Sequence, residues 1–177
     1  DENFGEVDSS GLELSGQFDL GLAKDWSFSN PYIVAFTYTD AEQQNNSSST
    51  DAESIFSFGS AGNKVPYIPE YQLTVGSSVK FSRWGASVRA SFVDETFTSA
   101  NNVSTEVNGL GAADARFGKT DSYEIVDIAA YYDVKSDVQI FAGIQNLFEE
   151  EYIVSRQPHG PRPGAPRTWY IGFQVEM

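Results

Sequence analysis

Apolar and polar side chains alternate with period two along most of this chain. In "GLELSGQFDL", Leu12, Leu14, Phe18 and Leu20 share one face, and Glu13, Ser15, Gln17 and Asp19 share the other. After the short turn "GLAKD", the run "WSFSNPYIVAFTYT" places Trp26, Phe28, Tyr32, Val34, Phe36 and Tyr38 together, so the two runs read as a hairpin. The pattern returns in "YQLTVGSSVKF" (71–81), "WGASVRASF" (84–92), "DIAAYYDV" (127–134), "VQIFAGI" (138–144) and the closing "WYIGFQVEM" (169–177), which makes seven predicted strands. Their apolar faces carry no Asp, Glu, Lys or Arg, only the small or polar exceptions Gly16, Asn30 and Ser77. Glu13, Asp19, Lys80, Arg89, Asp127, Asp133 and Glu176 all fall on the opposite faces.

A soluble β-sandwich also alternates, apolar inward and polar outward, so the pattern alone leaves two architectures open. Connection lengths separate them. Turns around 21–25, 82–83 and 135–137 are short, and they alternate strictly with long connections around 40–70, 94–122 and 147–167. Loops beyond roughly 12–15 residues are uncommon in a compact soluble domain, whereas a transmembrane β-barrel has short periplasmic turns and long extracellular loops. With seven strands and a first strand running inward, the last also runs inward, and every long loop is extracellular. The aromatics agree: Trp26, Phe28, Phe81 and Trp84 lie beside short turns, and Tyr38, Phe92 and Trp169 lie at long-loop ends, as membrane girdles do. The expected fold is all-β, an antiparallel up-and-down transmembrane barrel segment with outer-membrane lipid against its apolar face.

Seven strands do not close such a barrel. An open edge in lipid leaves orphan backbone groups costing several kcal/mol each, and bacterial barrels have even strand numbers from eight upward. The chain therefore reads as about seven strands of a larger barrel, and its opening "DENFGEVDSS" reads as the end of an extracellular loop. As an isolated fragment it is expected to satisfy its edges by intermolecular strand pairing.

Composition narrows the field further. The 177 residues suffice for one structured unit, and 13 Phe, 9 Tyr and 3 Trp with a single Met are a β-rich usage. The net charge of −14, with only 11 Lys and Arg, argues against nucleic acid as a partner. No Cys is present, so neither disulfides nor Cys-ligated metals enter, and no run of about 18 apolar residues predicts a transmembrane helix. No signal peptide is visible, as expected of a chain that is not exported or of a mature or partial sequence.

The last third, "SYEIVDIAAYYDVKSDVQIFAGIQNLFEEEYIVSRQPHGPRPGAPRTWYIGFQVEM", resembles the C-terminal end of TonB-dependent outer-membrane receptors. The matching elements are the "DIAAYY" strand, the "GIQNLFEEEY" segment, the "PGAPRT" lead-in and the final strand. "GLELSG" at Gly11–Gly16 and "NKVPYIPEYQL" at Asn63–Leu73 resemble the same family, so the likeness spans nearly the whole chain. The "SRQPHGPRPGAPR" loop most resembles the branch that includes ferric-dicitrate receptors. The resemblance implies a barrel of twenty-two strands, filled by an N-terminal plug, that imports iron chelates in dependence on TonB. Residues 1–177 would be its C-terminal part, without plug or TonB box, so TonB would be engaged only through the missing N-terminal part. Such barrels usually end in Phe, a residue resembling a signal to the barrel assembly machinery. Met177 departs from that pattern while keeping an apolar side chain in the outward register.

Candidate chemistry is confined to the loops. Arg156, Gln157, His159 and Arg162 in the last long loop offer cationic and hydrogen-bonding groups to an anionic iron chelate such as ferric citrate. The competing reading is a loop braced by surface charge and stiffened by Pro158, Pro161, Pro163 and Pro166. His159 is the only His, so no His cluster ligates a metal, no cofactor is expected, and no nucleophile-elbow motif supports a Ser–His–acid enzyme. Asp40, Glu42, Asp51 and Glu53, around the polar tract "QQNNSSST", are candidates for divalent cations or members of a mobile loop. Glu149, Glu150 and Glu151 read as a solvated loop start. A soluble antiparallel sandwich acting as a binding module, or a small passive barrel, is the alternative to a receptor segment.

Overall fold

The computed structural model describes residues 5–176, so Met177 and the opening residues 1–4 lie outside the described residues. Seven antiparallel strands form one meander: β1 (Val7–Asp19), β2 (Pro31–Gln43), β3 (Tyr71–Lys80), β4 (Trp84–Val93), β5 (Tyr123–Lys135), β6 (Val138–Gln145) and, last in the sheet, β9 (Thr168–Val175). Two short strands, β7 (Ile153–Ser155) and β8 (Arg162–Pro163), pair with each other inside the last long connection. All seven predicted strands are present, with short connections at one end of the sheet and 44–70, 94–122 and 146–167 at the other.

Register places the alternation in continuous rows. Phe18, Tyr32, Ser77, Val88, Ile128, Ile144 and Trp169 lie side by side across the sheet, and Trp84, Tyr132, Ile140 and Phe173 form a row nearer the short turns. No second sheet and no helix covers this face among the described residues. Leu73 is 36% exposed, Val88 and Ile140 44%, and Ile171 80%. A sandwich would bury these four side chains beneath its second layer. Instead the described molecule has a single layer, apolar on one side and lined with Ser, Thr, Gly, Gln and isolated charges on the other. Three inner-face glycines stand directly opposite aromatic residues: Gly85 opposite Tyr131, Gly143 opposite Tyr170, and Gly172 opposite Phe141. An ideal Cβ on each would lie only 2.4, 2.3 and 2.4 Å from the facing side chain, so the ring uses the space the glycine leaves.

Four boundaries differ from the sequence expectation by more than a residue or two. The second strand begins at Pro31 rather than Trp26, because residues 20–30 form a turn containing the short helix α1 (Leu20–Ala23). Asp19 organises that turn: its carboxylate accepts from the backbone N–H of Leu22 (3.1 Å) and Asn30 (2.9 Å) and from the Ser29 hydroxyl (2.5 Å), replacing ladder hydrogen bonds. Two of the polar exceptions are explained here, since the Asn30 amide donates to Ser77 Oγ (3.2 Å) and to the Ser78 carbonyl (2.7 Å). The first strand begins at Val7, so most of "GEVDSS" is strand rather than loop, β2 runs past Thr39 to Gln43, and β5 begins at Tyr123 instead of Asp127. These extensions carry Asp8, Asp40, Glu42 and Glu124 on the otherwise uncharged face, all at its long-loop end. The charge-free band thus has a limit. On β4 it runs from Trp84 to Phe92, about 26 Å along the strand at about 3.3 Å per residue.

Candidate functional site at the long-loop rim

The core of the described molecule lies among the long loops rather than beneath the sheet. Ala41, Ala100 and Phe117 are its buried apolar residues there, and Gln43, Ser57, Thr96, Thr98, Ser99, Thr120 and Asn146 are buried with them. Because loop backbone cannot bury itself without partners, side chains supply the missing hydrogen bonds. Asn102, in the left-handed region at φ 52°, accepts from the Lys64 N–H (2.6 Å) and donates to the Lys64 (2.9 Å) and Ser99 (3.2 Å) carbonyls, stapling 94–122 to 44–70. The Gln43 amide donates to the Ala100 carbonyl (2.8 Å), and the Tyr67 N–H donates to Phe97 (3.0 Å). Asn146, also left-handed at φ 51°, donates to the carbonyls of Glu150 (2.9 Å) and Ala165 (3.0 Å) and accepts from the Glu150 N–H (2.8 Å). It closes the base of the last loop and gives the "QNLFEEEY" segment its physical role.

Arg156 joins the last loop to this block. Its side chain is 12% exposed; Nε donates to the Lys119 carbonyl (2.6 Å), and Nη1 donates to the Ala115 carbonyl (3.2 Å) and pairs with Glu106 (2.6 Å). Its backbone N–H donates to the Tyr67 hydroxyl (3.3 Å), and the Gln157 amide donates to the Arg116 carbonyl (3.2 Å). Arg156 and Gln157 therefore face protein. His159 and Arg162 remain exposed, and among the described residues no ion pair holds Arg162.

Three of the four acids singled out for cations, Asp40, Glu42 and Glu53, serve the loops' own bases, and Asp51 accepts from the Glu53 N–H (3.0 Å). Lys64 binds Asp40 (2.5 Å) and Glu42 (3.1 Å); Arg116 binds Glu53 and Asp114, both at 2.6 Å. The Asp40 hydrogen bond holds the Lys64 ammonium pKa above its usual value, and Arg116 holds the Asp114 carboxyl below the usual carboxylate range. Among the described residues no three acidic or His side chains converge on a common centre. The tract "QQNNSSST" is folded: the Ser47 N–H donates to Gly59 (2.9 Å), and the Ser49 and Ser57 hydroxyls lie 2.6 Å apart. Glu149 reaches across the loop base to Arg167 (2.5 Å), while Glu150 and Glu151 are exposed.

Aromatic side chains collect at both ends of the charge-free band. Near the short turns Trp26, Phe28, Phe81 and Trp84 form a continuous stack with successive centroids 5.0, 4.6 and 4.4 Å apart. At the other end Tyr38 packs on Tyr71 (5.2 Å), Phe92 lies opposite Leu73 and Glu124, and Trp169 lies opposite Ile144 and is largely exposed. Phe148, exposed beside the same rim, is an aromatic that period-two reading passes over because it belongs to no strand.

A single-layer meander with one apolar and one polar face, short turns at one end and a folded rim of long loops at the other, is a wall sector of a transmembrane β-barrel. The profile "TonB dependent receptor-like, beta-barrel" matches residues 1–147, and the chain belongs to that family. Among solved structures, the unliganded ferric citrate transporter FecA superposes with TM-score 0.75 at 22% identity, over 97% of this chain and 24% of its own. The siderophore receptor PiuA from Acinetobacter baumannii gives 0.74 at 20% identity, over 97% and 22%. The copper transporter OprC gives 0.61 at 17% identity, over 96% and 23%. The chain thus spans about a quarter of the length of these relatives. The family profile ends at Leu147, so the loop bearing Arg156, Gln157, His159 and Arg162, together with β9, rests on the structural likeness.

Proposed function

We propose that this chain forms the C-terminal part of the wall and mouth of an outer-membrane receptor that imports iron chelates by a TonB-dependent mechanism. The supporting observation is the uncovered apolar face, charge-free between two aromatic ends and backed by a polar inner wall, which suits lipid outside and an occupied bore inside. The plug and the TonB-contacting segment belong to other parts of the receptor. In the mouth, Arg162 and His159 contact cargo, while Arg156 and Gln157 act as positioning residues that fix their loop. The C-terminal strand is the element presented to the assembly machinery, and the outer aromatics Trp26, Phe28, Phe81, Trp84, Tyr38, Phe92 and Trp169 anchor the wall at the two membrane surfaces. An isolated 177-residue chain pairs its free β1 and β9 edges with other copies. The reading is tested by uptake of radiolabelled iron chelates into cells with and without the receptor that carries this chain, and with TonB removed. Loss of uptake in both deletions is expected; uptake indifferent to either one refutes the reading.

A further inference from the structure

We propose that the rim built by these three loops disfavours polyanionic chelates and admits neutral or cationic ones. This rests on the chelate-import reading above and names the class of cargo that this sector of the mouth suits. The connections 44–70, 94–122 and 146–167 hold eleven Asp and Glu against six Lys and Arg, a net charge of −5. Five of the six bases are not free to meet an anion. Lys64 is held by Asp40 and Glu42, Arg116 by Glu53 and Asp114, Lys119 by Glu95, Arg156 by Glu106 and Arg167 by Glu149. Arg156 is further committed to two backbone carbonyls, so withdrawing it toward a ligand would unpair the half-buried Lys119 carbonyl and break a second bond at the exposed Ala115.

Arg162 is the single loop base without an ion pair among the described residues, whereas Asp51, Glu70, Asp94, Asp121, Glu150 and Glu151 are acids without one. A multiply charged anion needs several converging unpaired donors to replace its hydration. Among the described residues of these loops Arg162 is the one unpaired Lys or Arg, within a field opposite to its own sign that slows the approach of anions and favours that of cations.

The experiment uses the purified receptor that carries this chain, in detergent at low ionic strength, with three probes: ferric citrate as polyanion, ferrichrome as neutral ferric hydroxamate and ferrioxamine B as cationic one. Association of at least one hydroxamate is expected to be about tenfold faster than that of ferric citrate, with the gap narrowing as salt screens the rim. The double variant Glu53→Gln/Glu149→Gln, which releases Arg116 and Arg167 in part, is expected to speed ferric citrate several-fold and leave ferrichrome unchanged. Ferric citrate associating as fast as both hydroxamates, or not responding to the double variant, overturns the proposal. Failure of all three probes to bind instead overturns the iron-chelate reading, and the proposal falls with it.

Discussion

Val88→Arg is the substitution that separates lipid from water most cleanly. Val88 lies on the uncovered face of β4, four residues from Trp84 and four from Phe92, beside Ser77 and Ile128. At about 3.3 Å per residue it is about 13 Å along the strand from either aromatic end, or about 10 Å in depth for a strand tilted about 40°. That is the midplane of the apolar band, where an outward Arg costs about 2–4 kcal/mol against about 0–1 near the interfaces. Ser87 is the internal control, at the same height on the inner face between Ser78 and Ala129. Ser87→Arg is expected within about 0.5 kcal/mol of the parent, as for an ordinary surface change. The assay is denaturant titration of the receptor barrel folding into phosphocholine vesicles, comparing the two variants with the parent. A Val88→Arg loss no larger than that of Ser87→Arg would refute the assignment of this face to hydrocarbon.

Arg156→Ala should lower the local stability of the rim by about 1.5–3 kcal/mol, because the half-buried Lys119 carbonyl loses its charged donor, while Glu106→Ala at an exposed pair should cost under about 1 kcal/mol. Hydrogen exchange at the Thr98 and Thr120 amides reads the difference, and equal effects would contradict the geometry. Asn146→Ala removes three side-chain hydrogen bonds worth about 0.5–1.5 kcal/mol each and should open the 146–167 loop to limited proteolysis, with the sheet intact. The Asp114 carboxyl, depressed by Arg116, stabilises the rim above the ordinary carboxylate range, and that contribution is lost as pH falls through its depressed folded value. Rim protection should therefore drop at acid pH in the parent and more shallowly in Asp114→Asn, as followed by hydrogen exchange across the acid range.

The sheet was legible because strand chemistry repeats. Leu12, Val34, Val75, Val88 and Ile140 advertise one face by position alone, and the register joins those faces across the sheet, with one shift between Asp133 and Lys135. The turn at 20–30 was not legible, since "WSFSN" continues the alternation while Asp19, eleven residues before Asn30, draws the backbone into a capped loop. The rim was hidden for a related reason. Its contacts join residues such as Asn102 and Lys64 that are 38 apart and follow no period; the left-handed backbone that Asn tolerates is the one local hint. Arg156 looked available to a ligand because sequence displays a cation but not the carbonyls of Ala115 and Lys119 that occupy it.

The three glycine–aromatic pairs on the inner wall have a spatial outcome. Tyr131, Tyr170 and Phe141 recline into the gaps that Gly85, Gly143 and Gly172 leave, instead of standing upright toward the axis. Bulky residues thereby thicken the ribbon itself and keep its relief low at these three positions. Adding one methyl group at Gly143, where Ile128 carbonyl oxygen would also stand only 2.7 Å away, would raise a ridge there.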